Sequence, residues 1–167
     1  LDWHPGEIHV LDATRDGVEQ MAEILQGRTG IDAIHIISHG TPGQLELGNA
    51  VLNMDSLSAE HADELAAIRA ALSEGADLLL YGCEVSSTPE GEAFVAALAD
   101  ATGADVAASS DMTGTEMLGG DWVLETQVGG AIESTVITAA QWAGVLTTPA
   151  SVGSGAVLGT AGTRNIY

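Results

Sequence analysis

The sequence predicts an α/β domain with a mainly parallel sheet, helices on both faces and a small β-hairpin. Three observations lead to this class. Strand-like and helix-like segments alternate along the chain, which favours right-handed crossovers. Two strand-like segments are nearly continuous apolar runs, typical of strands buried on both faces. Hydrophobic residues make up 46% and aromatics only 4%, which indicates a core of Ala, Val, Leu and Ile.

The first half of the chain carries clear element signals. Glu7–Asp12 is predicted to be a strand. A helix is predicted to begin at Asp16, with Glu19 at capping-box spacing. Ile31–Ser38 is the first buried strand, and the hairpin turns at Gly48–Asn49 between two short alternating runs.

In the second half, a helix is predicted over about Ser58–Ser73, with Gly75 as its stop. Another helix opens at Thr88–Pro89, with proline at its first position. The predicted strands here are Ala76–Tyr81, Ala104–Ala108 and two edge strands, Asp121–Thr126 and Ala131–Ile137.

The 167 residues suit one domain, predicted over residues 1–146. Residues 147–167 are rich in Gly, Ala, Ser and Thr, and we predict a flexible linker there. The start shows neither the signal-peptide pattern nor a membrane span, so no membrane insertion is expected. We expect a fragment of a longer protein.

The charge balance excludes several classes of partner. Twenty-four acidic residues face four arginines and no lysine, giving a formal charge of −20. Nucleic-acid binding is excluded because it needs clustered basic residues. The acidity is consistent with a solvated surface or with a calcium role, and the sequence leaves both open.

Two residues that could carry chemistry follow the two buried strands. Ile31–Ser38 runs into His39–Gly40, and Ala76–Tyr81 runs into Gly82–Cys83. If the strands are neighbours, His39 and Cys83 lie at one edge of the sheet, where an imidazole activates a thiol. The backbone N–H groups of Gly40 and Cys83 then form an oxyanion hole. The alternatives are a buried, inert Cys83 and a His39 that caps backbone groups.

These two blocks, DAIHIISHG and ADLLLYGCE, resemble the His and Cys blocks of the caspase–gingipain–separase group of cysteine peptidases. The stretches HVLDATRDGVEQ, TGADVAASSDMTG and GGDWVLE extend the resemblance over about residues 7–135. Within that group the chain is similar to an uncharacterised N-terminal domain of giant bacterial surface adhesins with cadherin-like or calcium-binding repeats. In that domain another strand and helix usually precede the point where this chain starts.

The resemblance implies a caspase-like fold with Cys83 as nucleophile and His39 as general base. It also implies an extracellular or cell-surface setting, downstream adhesin repeats and a peptide substrate in cis, that is, autoprocessing of the parent protein. No cofactor is required, and calcium is left open as activator or stabiliser. An inositol phosphate activator is disfavoured because the chain has too few basic residues.

Three further residues are weighed for the site. Asp111 lies where related peptidases line the specificity pocket, although a turn role is favoured. The bond after Leu146 is the candidate cleavage site. His35 shares a strand face with His39 but is too far away to join it on one metal ion, so no metal site is predicted.

Two other functions stay open at this stage. The first is a non-catalytic folding or interaction module of an adhesin. The second, weaker one is a flavodoxin-like ligand-binding domain, although the loops lack phosphate-binding features.

Overall fold

The computed structural model describes residues 7–138 and 144–146, together with the backbone of 157–159 and 165–166. The predicted fold class is confirmed: the protein is α/β, with a central, mainly parallel sheet flanked by helices. The strands of the main sheet are β1 His9–Val10, β2 Ile31–Ile37, β6 Leu72–Tyr81, β7 Asp105–Ala108, β8 Thr126–Val128, β9 Val157–Gly159 and β10 Asn165–Ile166. The small sheet contains β3 Gly40–Thr41, β4 Gln44–Leu47 and β5 Ala50–Asn53, and the helices are α1 Gly17–Leu25, α2 Met54–Ser58, α3 Ala62–Ala71, α4 Pro89–Thr102 and a 3-10 helix, Glu116–Leu118.

The centre of the main sheet is a parallel β2–β6–β7 unit. Its register pairs Ile37 with Tyr81 at the carboxyl ends of β2 and β6. The strand order is β1-β9-β2-β6-β7-β8, and β10 also pairs with β2. Strands β9 and β10 lie in the segment predicted as a linker; the rest of residues 147–167 lies outside the described residues.

Helices α1 and α4 begin where predicted, because a side chain caps the first turn of each. The Asp16 carboxylate accepts from the Val18 and Glu19 backbone N–H groups at 2.8 and 3.1 Å and caps α1. Thr88 caps α4 by accepting from the Gly91 N–H at 3.1 Å, and Pro89 follows at the first helical position. Each side chain satisfies backbone donors that the helix itself leaves unpaired.

Other boundaries differ from the prediction. The helix expected over residues 58–73 is α3, which is shorter at both ends and begins after His61, while α2 before it was not predicted. Gly75 does not stop a helix: α3 ends at Ala71, and Gly75, with φ 72°, lies inside β6. Its positive φ coincides with an irregular register between β2 and β6, which glycine tolerates best.

The two faces of the sheet are covered differently. Ile34, Leu78 and Val106 project towards α1, α3 and α4, and form the larger apolar core with them. Alternate residues, including Leu79 and Tyr81, project to the opposite face, which we call the second face. Its covering layer is the chain from 110 to 138 and residues 144–146, which among the described residues contains only the 3-10 helix and β8. The edge strands predicted at 121–126 and 131–137 are wrong: β8, Thr126–Val128, overlaps the first only at Thr126, and the rest of both ranges covers the core without pairing regularly.

Candidate active site

The carboxyl ends of β2 and β6 bring the predicted pair to one edge of the sheet. His39 and Cys83 each follow the paired residues Ile37 and Tyr81 by two positions on adjacent parallel strands. Cys83 joins the apolar cluster of the second face. His39 lies two residues beyond β2, whose Ala33 and Ile37 belong to the same cluster.

Gly40 packs directly against the segment that carries Cys83. A Cβ atom at position 40 would lie 2.7 Å from Val85 Cγ2 and 3.0 Å from the Cys83 carbonyl oxygen. Such distances are too short for any side chain, so only glycine lets the two strand ends approach this closely. The predicted Gly40–Cys83 neighbourhood therefore exists in the fold.

The Cys83 thiol is fully buried and bound to backbone groups. It accepts a hydrogen bond from the Thr113 N–H at 3.2 Å and donates one to the Thr113 carbonyl at 3.5 Å. Burial raises the pKa of the thiol above its ordinary 9.0, and the nearby charges of Glu84 and Asp111 act in the same direction. The backbone N–H groups of Thr113 and Leu146 lower the pKa, but burial outweighs them. In this conformation Cys83 is a protonated thiol.

The His39 side chain is half-buried and does not hydrogen-bond to Cys83. Its Nδ1 atom is buried and has no hydrogen-bond partner among the described residues. Its backbone carbonyl accepts from the Glu46 N–H at 3.0 Å, which ties the residue to the small sheet. His39 and Cys83 thus lie at the same edge of the main sheet, with no hydrogen bond between their side chains.

Residues 144–146 lie across the strand ends and form one isolated backbone bridge, between Val145 and Gly114; we call them the covering segment (144–146). The Thr115 N–H donates to the Gly144 carbonyl at 2.9 Å, and the Leu146 N–H donates to the Thr113 carbonyl at 2.8 Å. The Leu146 carbonyl in turn accepts from the Gly40 N–H at 3.2 Å. The Gly40 N–H, which is the candidate oxyanion donor, therefore contacts Leu146, and the Cys83 thiol contacts Thr113, to which Leu146 is bonded by its N–H.

The turn after Cys83 is held in an unusual backbone conformation. Glu84 has φ 58°, the one positive value for a non-glycine residue among the described residues. Its N–H donates to the Asp111 carbonyl at 2.7 Å. Left-handed backbone costs free energy outside glycine and occurs where the surroundings impose it. Here the Asp111 contact fixes the chain direction immediately beyond the thiol.

The Asp111 side chain is part of an acidic group with Asp121 and Glu125, whose carboxylate oxygens lie within 4.8 Å of one another. Burial is the largest cause that raises the pKa of Asp111, followed by the charges of Glu125 and Asp121. The structure therefore gives Asp111 a turn contact through its backbone and an acidic environment for its carboxyl.

His35 lies beneath the site, stacked on Tyr81. The ring centroids are 5.9 Å apart with an interplanar angle of 11°, and His35 Nδ1 is 3.1 Å from the Tyr81 hydroxyl. That hydroxyl also accepts from the Ile137 N–H at 2.8 Å. Burial lowers the pKa of His35 to about 4, so it is neutral at physiological pH. His35 is therefore a neutral residue of the core.

Two further groups of candidate ligands form away from the thiol. Asp16, Glu60 and His61 come together beside the start of α1, and Asp77, Asp105 and Glu133 beside β6 and β7. Their members have structural roles as well. Asp16 caps α1, and Asp77 accepts from the Glu133 and Ser134 N–H groups at 3.0 and 2.7 Å.

Sequence reasoning missed the residues around the thiol that act through their backbone. Thr113 binds the thiol with its N–H and carbonyl, Gly114 and Gly144 have no side chain, and no periodicity reveals a role for any of them. The one available signal is Gly114, where a Cβ atom would lie 2.4 Å from the Gly144 carbonyl oxygen. A glycine between two threonines marks a close backbone approach only once its partner strand is known.

Fold and site together define a class: an α/β domain with a cysteine and a histidine at the carboxyl edge of its parallel strands. A family model described as a domain of unknown function, DUF4347, matches residues 3–146. The chain belongs to this family. No curated protein and no solved structure matches it. None of the described helices is both long and apolar enough to cross a membrane.

Proposed function

We propose that the chain is a caspase-like cysteine peptidase domain, with Cys83 as nucleophile and His39 as general base. The observation that carries the proposal is the shared register of β2 and β6, which sets both residues two positions beyond one pair of strand partners. The close packing of Gly40 on the Cys83 segment supports it, because that packing brings together the backbones of the two residues proposed for the oxyanion hole.

The chemistry needs one rearrangement. A protonated, buried thiol reacts only after the His39 imidazole turns towards it and accepts the thiol proton, whereas a peptide added in trans also requires the covering segment to shift. The Nδ1 atom of the half-buried His39 ring has no hydrogen-bond partner among the described residues, so this turn breaks no hydrogen bond at that atom. The adhesin context, the extracellular setting and a role for calcium stay part of this proposal, on the resemblance and the acidic composition.

The test compares four proteins on a library of unlabelled peptides, with products read by mass spectrometry at neutral pH with and without calcium. We expect hydrolysis by the native chain and at least ~100-fold slower hydrolysis by Cys83→Ala and His39→Ala, since both lose an essential group. The His9→Ala variant removes a histidine outside the site and should hydrolyse at the native rate.

Labelling provides a second readout. A peptidyl vinyl sulfone should modify Cys83 of the native chain and react much more slowly with the His39→Ala variant. Hydrolysis that persists in Cys83→Ala would refute the proposal. So would the absence of both hydrolysis and labelling under every calcium condition.

The second candidate function is a non-catalytic module. Full burial of Cys83, together with the missing hydrogen bond to His39, favours it. An inert thiol in the labelling experiment would select this candidate, and the His39→Ala variant would then behave like the native chain.

A further inference from the structure

We infer that the covering segment is a resident substrate, and that the site cleaves the chain's own peptide bond between Leu146 and Thr147 with a leucine-type side chain on the acyl side. This rests on the proposed peptidase function and deepens it, because it names the substrate and the side-chain preference. Three features of the described residues lead to it.

The covering segment is bound in the way that peptidases hold extended peptides. Gly144 and Leu146 hydrogen-bond to the backbone of Thr115 and Thr113, and Val145 pairs with Gly114 in an antiparallel bridge. An added strand obtains its affinity from main-chain hydrogen bonds and its specificity from alternate side chains. Gly114 permits this approach, since a Cβ atom there would lie 2.6 Å from Val145 Cα.

The Leu146 carbonyl is held by a backbone donor that was predicted for the oxyanion. Its oxygen accepts from the Gly40 N–H at 3.2 Å. The N–H of Leu146 donates to the Thr113 carbonyl at 2.8 Å, and the N–H and carbonyl of Thr113 also bind the Cys83 thiol. One residue thus positions both the nucleophile and the substrate backbone.

The Leu146 side chain fills an apolar pocket on the second face. It is 4% exposed and belongs to a cluster with Leu79, Tyr81 and Leu124. A charged side chain buried there would have no counter-ion within this cluster and would pay a large desolvation cost. The pocket therefore selects leucine-like side chains, whereas an acidic specificity residue such as Asp111 would select basic ones.

The reaction balances with water as the second reactant. The Cys83 thiol gives its proton to His39, and the thiolate sulfur bonds to the Leu146 carbonyl carbon. The C–N bond to Thr147 then breaks, and the amine leaves with the proton from His39. Water hydrolyses the thioester, which gives a Leu146 carboxylate and restores the thiol.

The test follows the intact mass of the full chain under denaturing conditions, in the native form and in Cys83→Ala, Leu146→Met, Leu146→Asp and Leu118→Asp variants. We expect fragments 1–146 and 147–167 from the native chain, from Leu146→Met and from Leu118→Asp. We expect at least ~10-fold slower cleavage in Leu146→Asp and none in Cys83→Ala. Leu118→Asp controls for the added charge, since Leu118 is largely exposed in the 3-10 helix.

The outcomes separate this inference from the peptidase proposal. Cysteine-dependent cleavage at another bond, or an unchanged rate in Leu146→Asp, overturns the inference and leaves the peptidase proposal intact. Peptide hydrolysis in trans with no cut after Leu146 does the same. If Leu146→Asp still hydrolyses library peptides, it is folded, and its loss of self-cleavage supports the pocket. Failure of both cis and trans cleavage ends both proposals.

Discussion

Replacing Tyr81 with Ala is expected to lower the free energy of unfolding by about 3–5 kcal/mol, the range for deleting a large buried ring. Tyr81 is fully buried, stacks on His35 and lies against Trp122 with ring centroids 6.0 Å apart. Its hydroxyl also holds the backbone of Ile137. The ring therefore joins β6 to the irregular layer on the second face, and its loss affects both.

The measurement is urea unfolding at neutral pH, followed by circular dichroism. A Tyr81→Phe variant keeps the ring and removes the hydroxyl, and should cost about 1–3 kcal/mol because the Ile137 N–H loses its acceptor. Val123→Ala, at a side chain that is 55% exposed, should stay within about 0.5 kcal/mol of the native chain. A Tyr81→Ala loss no larger than that of Tyr81→Phe would contradict the structural role of the ring.

Acidification is expected to destabilise the fold through His35. Burial lowers the pKa of His35 from 6.5 to about 4, so the unfolded chain binds a proton there before the folded chain does. The stabilisation is complete above pH 6.5 and is lost as the pH falls towards 4. One pKa unit corresponds to about 1.4 kcal/mol, so the loss over the whole window is about 3 kcal/mol.

The measurement compares the native chain with His35→Phe, which keeps a ring against Tyr81 but cannot take up a proton. Unfolding free energies at pH 7 and pH 4.5 give a loss for each protein, and the many carboxylates contribute to both. The native chain should lose about 2–3 kcal/mol more than His35→Phe. Equal losses would show that His35 does not titrate in this window.

The elements that the sequence predicted well are those with local or periodic signals. β2 and α1 were expected because an unbroken apolar run and a capping Asp16 determine them without distant partners. Helix α2 was missed, since its five residues are too few to show a helical period. The second-face layer was missed because its chain follows the core irregularly and has no period.

The residues of the candidate site also fall into a predictable and an unpredictable group. His39, Gly40 and Cys83 were predictable because each follows a buried strand, and the parallel register then brings them to one edge. Thr113 and the covering segment were not predictable as thiol contacts. They act through backbone hydrogen bonds between residues far apart in sequence, and such contacts leave no trace in side-chain identity.

The pairing of β9 and β10 with β2 separates scission from release. Both strands come after Leu146 in the chain, yet their backbones hydrogen-bond to β2 in the centre of the fold. A cut at 146 therefore yields a nicked complex of two pieces rather than two free polypeptides. The second piece dissociates only when these strands separate from β2. Mechanical tension or a competing strand, and not the rate of hydrolysis, would therefore determine when the second piece is released.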